Sequence, residues 1–183
     1  MRAFIALDVS NVAIVQLQKD ILSAAEWNPR DIKPVEPHNF HFTVIFLGEI
    51  GDHDVDRIKE MLVGFQFEPF TITYTRIGAF PNPTHARVVW IGVDSEGAQK
   101  LTALANDIVA KMSELGFEAD KPFSAHLTLL RAKGRPVNAS HISSKYQGRT
   151  FGSDSIDKVQ LKKSELRSSG PVYSNIYTVE AKK

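Results

Sequence analysis

One phrase occurs twice in this chain, and it constrains the fold more than any other feature: His41-Phe42-Thr43-Val44 and, far downstream, His126-Leu127-Thr128-Leu129. Each lies in an apolar run that reads as a strand. Side chains on a strand alternate between its two faces, so each His shares a face with its Thr, while Phe42, Val44, Leu127 and Leu129 take the other face. Both segments therefore need a fold that buries one strand face and leaves the other open. Chance supplies roughly 0.3 His-x-Thr pairs in a chain of this make-up, so two in matching apolar strands point to a duplicated unit. Phe46 and Arg131 stand five residues after the two histidines. Strict alternation puts offset five on the apolar face, and only a bulge or a strand end would bring these residues to the histidines.

The rest of the chain reads as an interleaving of strands and single helices. Arg2 to Val9 is a first strand, followed by a cap at Ser10 or Asn11 and by Ile14, Leu17 and Ile21 at helical spacing. Glu26 to Asn39 holds Pro29, Pro34 and Pro37 and reads as a loop leading into the first motif strand, which Gly48 ends. A short helix follows from Asp52 or Asp54, with Val55, Ile58 and Leu62 inward. Phe70 to Phe80 and Ala86 to Val93 form a hairpin around Pro81-Asn82-Pro83-Thr84. Ala98, Leu101, Leu104, Ile108, Met112 and Leu115 keep the 3.6-residue period up to Gly116, and Lys121-Pro122 leads into the second motif strand, Ala125 to Leu130. A weaker helix over Val137 to Gln147 and two strands, Phe151 to Lys162 and Val172 to Glu180, complete the chain around a Ser168-Ser169-Gly170-Pro171 turn. Hairpins interleaved with single helices favour antiparallel or mixed sheets over a continuous parallel one. The expected class is α+β with two similar lobes, residues 1–183 forming a single domain, because this length is about that of one ordinary domain.

Composition narrows the function. Lys plus Arg number 22 against 21 Asp plus Glu, so no global basic field draws the chain onto nucleic acid, and any such contact is local. With no cysteine, disulfides, thiolate metal sites and thiol nucleophiles are excluded. The apolar N-terminal run stops at Asp8, too short for a secretory core, and no stretch approaches the roughly 20 apolar residues of a membrane span. A cytoplasmic protein without membrane association is expected, and a monomer.

With these residues in view, the chain resembles the 2H phosphoesterases, defined by two His-x-Thr/Ser motifs on strands of a duplicated fold. Within them it is most similar to the bacterial and archaeal RNA 2′,3′-cyclic phosphodiesterases, also called 2′-5′ RNA ligases. The likeness runs through Arg2-Ala3-Phe4-Ile5-Ala6, His41 to Glu49, Gly78-Ala79-Phe80-Pro81-Asn82-Pro83, Val88 to Gly92, His126 to Arg131 and Gly170-Pro171-Val172-Tyr173. It implies two pseudo-symmetric lobes of antiparallel sheet with helices outside, and a cleft between them where His41, Thr43, His126 and Thr128 surround one phosphate. It also implies that Arg131 helps bind the phosphate region and that Phe46 stacks on a base. Ile45 departs from the family, which often has Lys there, and this touches peripheral contacts only. The implied substrates are RNA ends or nucleotides bearing a 2′,3′-cyclic phosphate, opened to a 2′-phosphate with His41 as acid and His126 as base and with no metal or cofactor. The same chemistry run backwards would be 2′-5′ ligation.

That chemistry suits the residues. Opening a cyclic phosphate with water needs one group to take the water's proton and another to protonate the departing ribose oxygen, and imidazoles titrate near pH 6.5. The threonine hydroxyls can donate to non-bridging oxygens, and Arg131 brings a permanent charge. Two other readings stay open: a non-catalytic nucleotide- or RNA-binding module on the same cleft, and a related enzyme acting on an ADP-ribose cyclic phosphate or on 2′-5′ oligonucleotides.

Other residues invite bland readings. His38-x-x-His41 with Asp52-His53-Asp54 raises a metal site, but the spacing lacks a helix face and a convincing third and fourth ligand. Lys133 and Arg135, and likewise Lys162, Lys163 and Arg167, are either RNA-phosphate contacts or solvated surface. Trp90, in Val88-Val89-Trp90-Ile91, reads as core, Trp27 is open, and His53, His85 and His141 receive no role. Gly48, Gly51 and Gly78 do not form a loop for ATP or NAD phosphates.

Overall fold

Apolar runs become strands and the 3.6-residue repeats become helices packed behind them. The computed structural model describes residues 1–168 and 170–182. In chain order it contains β1 (Arg2–Asp8), α1 (Val12–Ala24), β2 (Ile32–Pro34), β3 (His41–Glu49), α2 (Asp52–Val63), β4 (Phe70–Phe80), β5 (Val88–Val93), α3 (Ser95–Glu114), β6 (His126–Ala132), α4 (Ser140–Lys145), β7 (Ser153–Ile156), β8 (Lys158–Arg167) and β9 (Gly170–Glu180). The strands pair antiparallel in two sheets, ordered β3-β1-β8-β9 and β2-β6-β5-β4-β7. This is the expected α+β class, with one motif strand in each sheet.

The two sheets are not the two halves of the sequence. β8 returns from the C-terminal end to pair with β1, Ile5 opposite Leu161, and β9 pairs with β8, so both ends of the chain build the sheet that holds β3. This return is where the sequence reading needs correction. Phe151 to Lys162 is not one strand: it divides at Asp157 into β7, where Ile156 pairs with Phe70, and β8, where Val159 pairs with Val179. Ile156 and Val159 are both buried, each in a different sheet, and the crossing is held by the Ala181 N–H donating to the Asp157 carbonyl at 2.8 Å.

Two smaller corrections concern local order. The proline-rich loop contains β2, a three-residue edge strand along β6 in which Ile32 is buried, and Pro34 is tolerated because it lies at the sheet edge. The weak helix shrinks to α4, because Val137 is bridged to Ala86 and the Asn138 side chain accepts from the Ser140 N–H at 3.0 Å. The Ser168–Pro171 turn falls partly on Ser169, outside the described residues. No described helix is long and apolar enough to cross a membrane.

One apolar core lies behind both sheets. Ile5 and Leu7 of β1, Phe42 and Val44 of β3, Ile91 of β5 and Leu127 and Leu129 of β6 meet Ile14 and Ile21 of α1 and Leu101, Ile108 and Met112 of α3. Each side chain so buried contributes roughly 1.5–3 kcal/mol. The core also contains a polar tie. Gln18 of α1 is 5% exposed, and its Nε2 donates to the carbonyls of Val35 and Leu129, both at 2.8 Å. Gln18→Leu leaves the Val35 carbonyl unpaired and strips one donor from Leu129. The expected loss is about 1–3 kcal/mol, a fall in Tm of roughly 2–10 °C at this chain length. A melting curve unchanged from the wild type would show that water replaces the amide without cost.

Candidate active site

In the first sheet, β3 lies against β1 with Asp8 opposite His41, Ala6 opposite Thr43, Ile5 opposite Ile45 and Phe4 opposite Phe46. Between His41 and Phe46 the register steps over Val44, so this stretch of β3 carries one residue more than the β1 residues facing it, a bulge that interrupts the alternation. Val44 and Ile45 thereby both face the core, at 6% and 2% exposure, and Phe46 returns to the His41 side at 64%. The second sheet repeats the device. Gly92 is opposite His126, Trp90 opposite Thr128, Val89 opposite Leu130 and Val88 opposite Arg131, and here the register steps over Leu129. Leu129 and Leu130 are both buried and Arg131 emerges beside His126 and Thr128. The offset-five residues thus join their motifs in both lobes, as only a bulge allows, and the Gln18 amide holds the second bulge at its Leu129 carbonyl.

The two histidines begin their strands in the same way. His41 Nδ1 lies 2.7 Å from the Asn39 carbonyl and His126 Nδ1 lies 2.9 Å from the Ser124 carbonyl. A carbonyl only accepts, so Nδ1 carries the proton in both rings and Nε2 is the atom left for chemistry. Burial disfavours the imidazolium and lowers the pKa of each below its ordinary 6.5, with the backbone carbonyls pulling the other way. The Arg131 guanidinium adds to the lowering at His41 and His126, and it also acts on the Tyr173 phenol. One cation therefore feels groups from both sheets, consistent with the contact between β3 and β6 across the cleft.

Aromatic rings wall each imidazole. Phe4 and Tyr173 stand 5.3 Å and 5.4 Å from His41, and Phe80 and Trp90 stand 4.9 Å and 6.2 Å from His126. Trp90 is therefore not core. It is half-buried on the cleft face, its indole lying over Gly78, where an added Cβ would collide with it. The sequence signal was present in principle: the same alternation that puts Thr128 on the open face puts its cross-strand partner there as well.

Lys162 also needs correction, since it is neither loop nor solvated surface. It is 5% exposed in β8, its Nζ donating to Asp8 Oδ2 at 2.5 Å and to Asn175 Oδ1 at 2.8 Å. The alternation of Gln160 and Lys162 with Val159 and Leu161 puts the two polar residues on one strand face but does not give their burial, which the neighbouring strands impose. Lys163 pairs with Glu165 at 3.1 Å, and Lys133, Arg135 and Arg167 are exposed. Trp27 is tied down, its Nε1 donating to the Asn138 carbonyl at 2.8 Å and its ring edge-on to His141. His38 is exposed, Asp52, His53 and Asp54 open α2, and among the described residues no group of three or more His, Asp or Glu converges as a metal site.

The chain matches the LigT like Phosphoesterase family twice, over residues 8–90 and 91–173, one match for each His-x-Thr motif. It is 42% identical over 180 residues to an RNA 2′,3′-cyclic phosphodiesterase of Archaeoglobus fulgidus, covering 98% of this chain and 100% of that one. It is 34% identical to the RNA 2′,3′-cyclic phosphodiesterase of Methanothermobacter thermautotrophicus, covering 96% of each. Among solved structures, the TT0787 protein of Thermus thermophilus superposes with a TM-score of 0.79 at 27% identity, covering 98% of this chain and 97% of that one. Escherichia coli LigT, crystallised with 3′-AMP, shares the fold at a TM-score of 0.76 and 24% identity, with 100% and 98% covered.

Proposed function

The chain belongs to the LigT-like phosphoesterase family and hydrolyses the phosphodiester of RNA 2′,3′-cyclic phosphates, and we propose that it does so with His41 and His126 as the acid–base pair of a metal-independent reaction. The observation that carries the assignment is the paired bulge, which sets His41, Thr43 and Phe46 on one open face and His126, Thr128 and Arg131 on the other.

In this reaction His126 Nε2 takes a proton from water as the water oxygen bonds to phosphorus. The bond from phosphorus to the ribose 3′ oxygen breaks, and that oxygen takes the Nε2 proton of His41. The products are a 2′-phosphate and a 3′ hydroxyl, and solvent resets both rings. Because Nδ1 of each ring is committed to a backbone carbonyl, the proton moves at Nε2 without any rotation of the imidazole. The Thr43 and Thr128 hydroxyls donate to the non-bridging oxygens and Arg131 balances their charge, which is useful because donors fixed beforehand need no reorganisation in the transition state. Phe46, the most exposed ring of the cleft, offers a face to the base next to the phosphate. RNA ends are the substrate this site fits, with ligation as its reversal.

The test is hydrolysis of nucleoside 2′,3′-cyclic monophosphates and of a short RNA ending in a cyclic phosphate, with EDTA present and the 2′- and 3′-phosphate products resolved. Metal-independent formation of the 2′-phosphate is the expected result. Nucleotide binding without turnover would replace the proposal with a binding module.

The pH profile follows from the same assignment. The rate rises as His126 loses its proton and falls as His41 loses its own, giving a bell centred between the two apparent pKa values. Burial holds both below 6.5, so kcat/KM is expected to peak on the acid side of that value. A bound phosphate anion favours both imidazolium forms, and the kcat bell lies further alkaline. A kcat/KM profile that is flat, or that peaks above pH 8, would contradict the scheme.

A further inference from the structure

The two lobes repeat the same scaffold, so a difference between matching positions reports what each lobe is built to do. Taking the residue opposite each histidine, Asp8 in the first lobe corresponds to Gly92 in the second. One strand further in, Lys162, opposite Phe4, corresponds to Phe80, opposite Val88. A buried ion pair beside His41 is therefore replaced beside His126 by a glycine and an aromatic ring. Resting on the roles given above, we propose that Asp8, held by Lys162 and Asn175, is the positioning residue that makes the two histidines unequal, keeping His41 the proton donor and leaving His126 the acceptor.

The surroundings support this on both sides. His41 faces Asp8 from β1, Lys162 from β8, Tyr173 from β9 and Arg131 from β6, and among these Asp8 alone brings negative charge. His126 faces Phe80 from β4 and Trp90 from β5, with Arg76 stacked over the indole at 5.8 Å, and the charges acting on it are the cations Lys121 and Arg131. Asp8 favours the His41 cation more than Lys162 opposes it, because cross-strand partners on one face are near neighbours. Lys162 is the reason the carboxylate stays in place. Its buried ammonium has two acceptors within reach, Asp8 and Asn175, and the Gln160 side chain accepts from the Asp8 N–H at 3.1 Å, so the end of β1 is fastened to β8 at two points. No sequence motif links these residues, since Asp8 closes the first strand and Lys162 stands near the end of the chain.

The experiment is an NMR titration of both imidazoles in the free protein, read beside the pH dependence of kcat/KM. Asp8→Asn removes the anion and should lower the midpoint of His41 while leaving that of His126 in place. Only the alkaline limb of the bell then moves to lower pH, and kcat/KM at neutral pH falls by about three- to tenfold, a small part of the 10²–10⁴ lost with the acid itself. Because Asp8→Asn leaves the Lys162 ammonium short of a partner and so threatens folding, Lys162→Met is the second variant. It releases Asp8, which is partly exposed and stays hydrated, and it should move the His41 midpoint upward, the opposite sign. Midpoints of His41 that stay put in both variants, or a His126 midpoint that moves as far as that of His41, would overturn the proposal. The titrations read Asp8 whether or not the protein turns over, so a failure of the proposed reaction shows in the hydrolysis assay and a failure of this inference in the spectra.

Discussion

His126→Ala lowers kcat/KM for a 2′,3′-cyclic phosphate by about 10²–10⁴, and His41→Ala does the same. The size follows from the step that the proposed reaction gives each imidazole: without His126, water would attack with its proton still attached, and without His41 the ribose oxygen would leave as an alkoxide. Neither loss is repaired from within the site, because among the described residues no carboxylate acts on His126, and Asp8 is held by Lys162. The double variant should be little worse than either single one, since two groups acting in one concerted transfer contribute as a unit. Folding is not at issue, because both rings lie on the open face of strands whose apolar faces carry the core. Full activity in His126→Ala would end the two-histidine mechanism, and a tenfold loss or less would leave His126 a binding residue.

Arg131→Met lowers kcat/KM by about 10²–10³, the usual cost of removing one preorganised donor from a transition-state oxyanion. Its second signature separates it from a loss of fold. The guanidinium lowers the pKa of both imidazoles, so its removal raises both, and the acidic and alkaline limbs of the bell move together toward higher pH. Lys133→Met is the comparison: exposed and two residues further along, it should leave hydrolysis of a cyclic mononucleotide within about twofold, as expected for a charge whose field water screens. An Arg131→Met enzyme of normal activity, or one whose limbs stay in place, would remove Arg131 from the phosphate site.

Much of this site was legible in the sequence because strand alternation is local. His41 with Thr43, and His126 with Thr128, share faces whatever the strands pair with, and the apolar residues between them name the buried side. The 3.6-residue repeats of α1 and α3 needed no tertiary information either. Offset five was the point where local reasoning stopped. Phe46 and Arg131 reach the cleft only because β3 between His41 and Phe46, and β6 between His126 and Arg131, each carry one residue more than the strand alongside, which is a property of the pair. Trp90 looked like core for a related reason: Val88 to Ile91 reads as a continuous apolar run, and a run without alternation does not say which face is open.

The sequence by itself determined the two motif strands, the helices α1 and α3, the family and the two His-Thr pairs, because each rests on neighbours within a few residues or on motifs that survive without a structure. Only the tertiary structure decided that Phe151 to Lys162 breaks at Asp157, that Lys162 is buried against Asp8, and that Asp8 faces His41 where Gly92 faces His126. These depend on which distant strand lies alongside, and a pairing between the first strand and the last but one is set by burying both apolar faces on one core rather than by the preference of either segment alone.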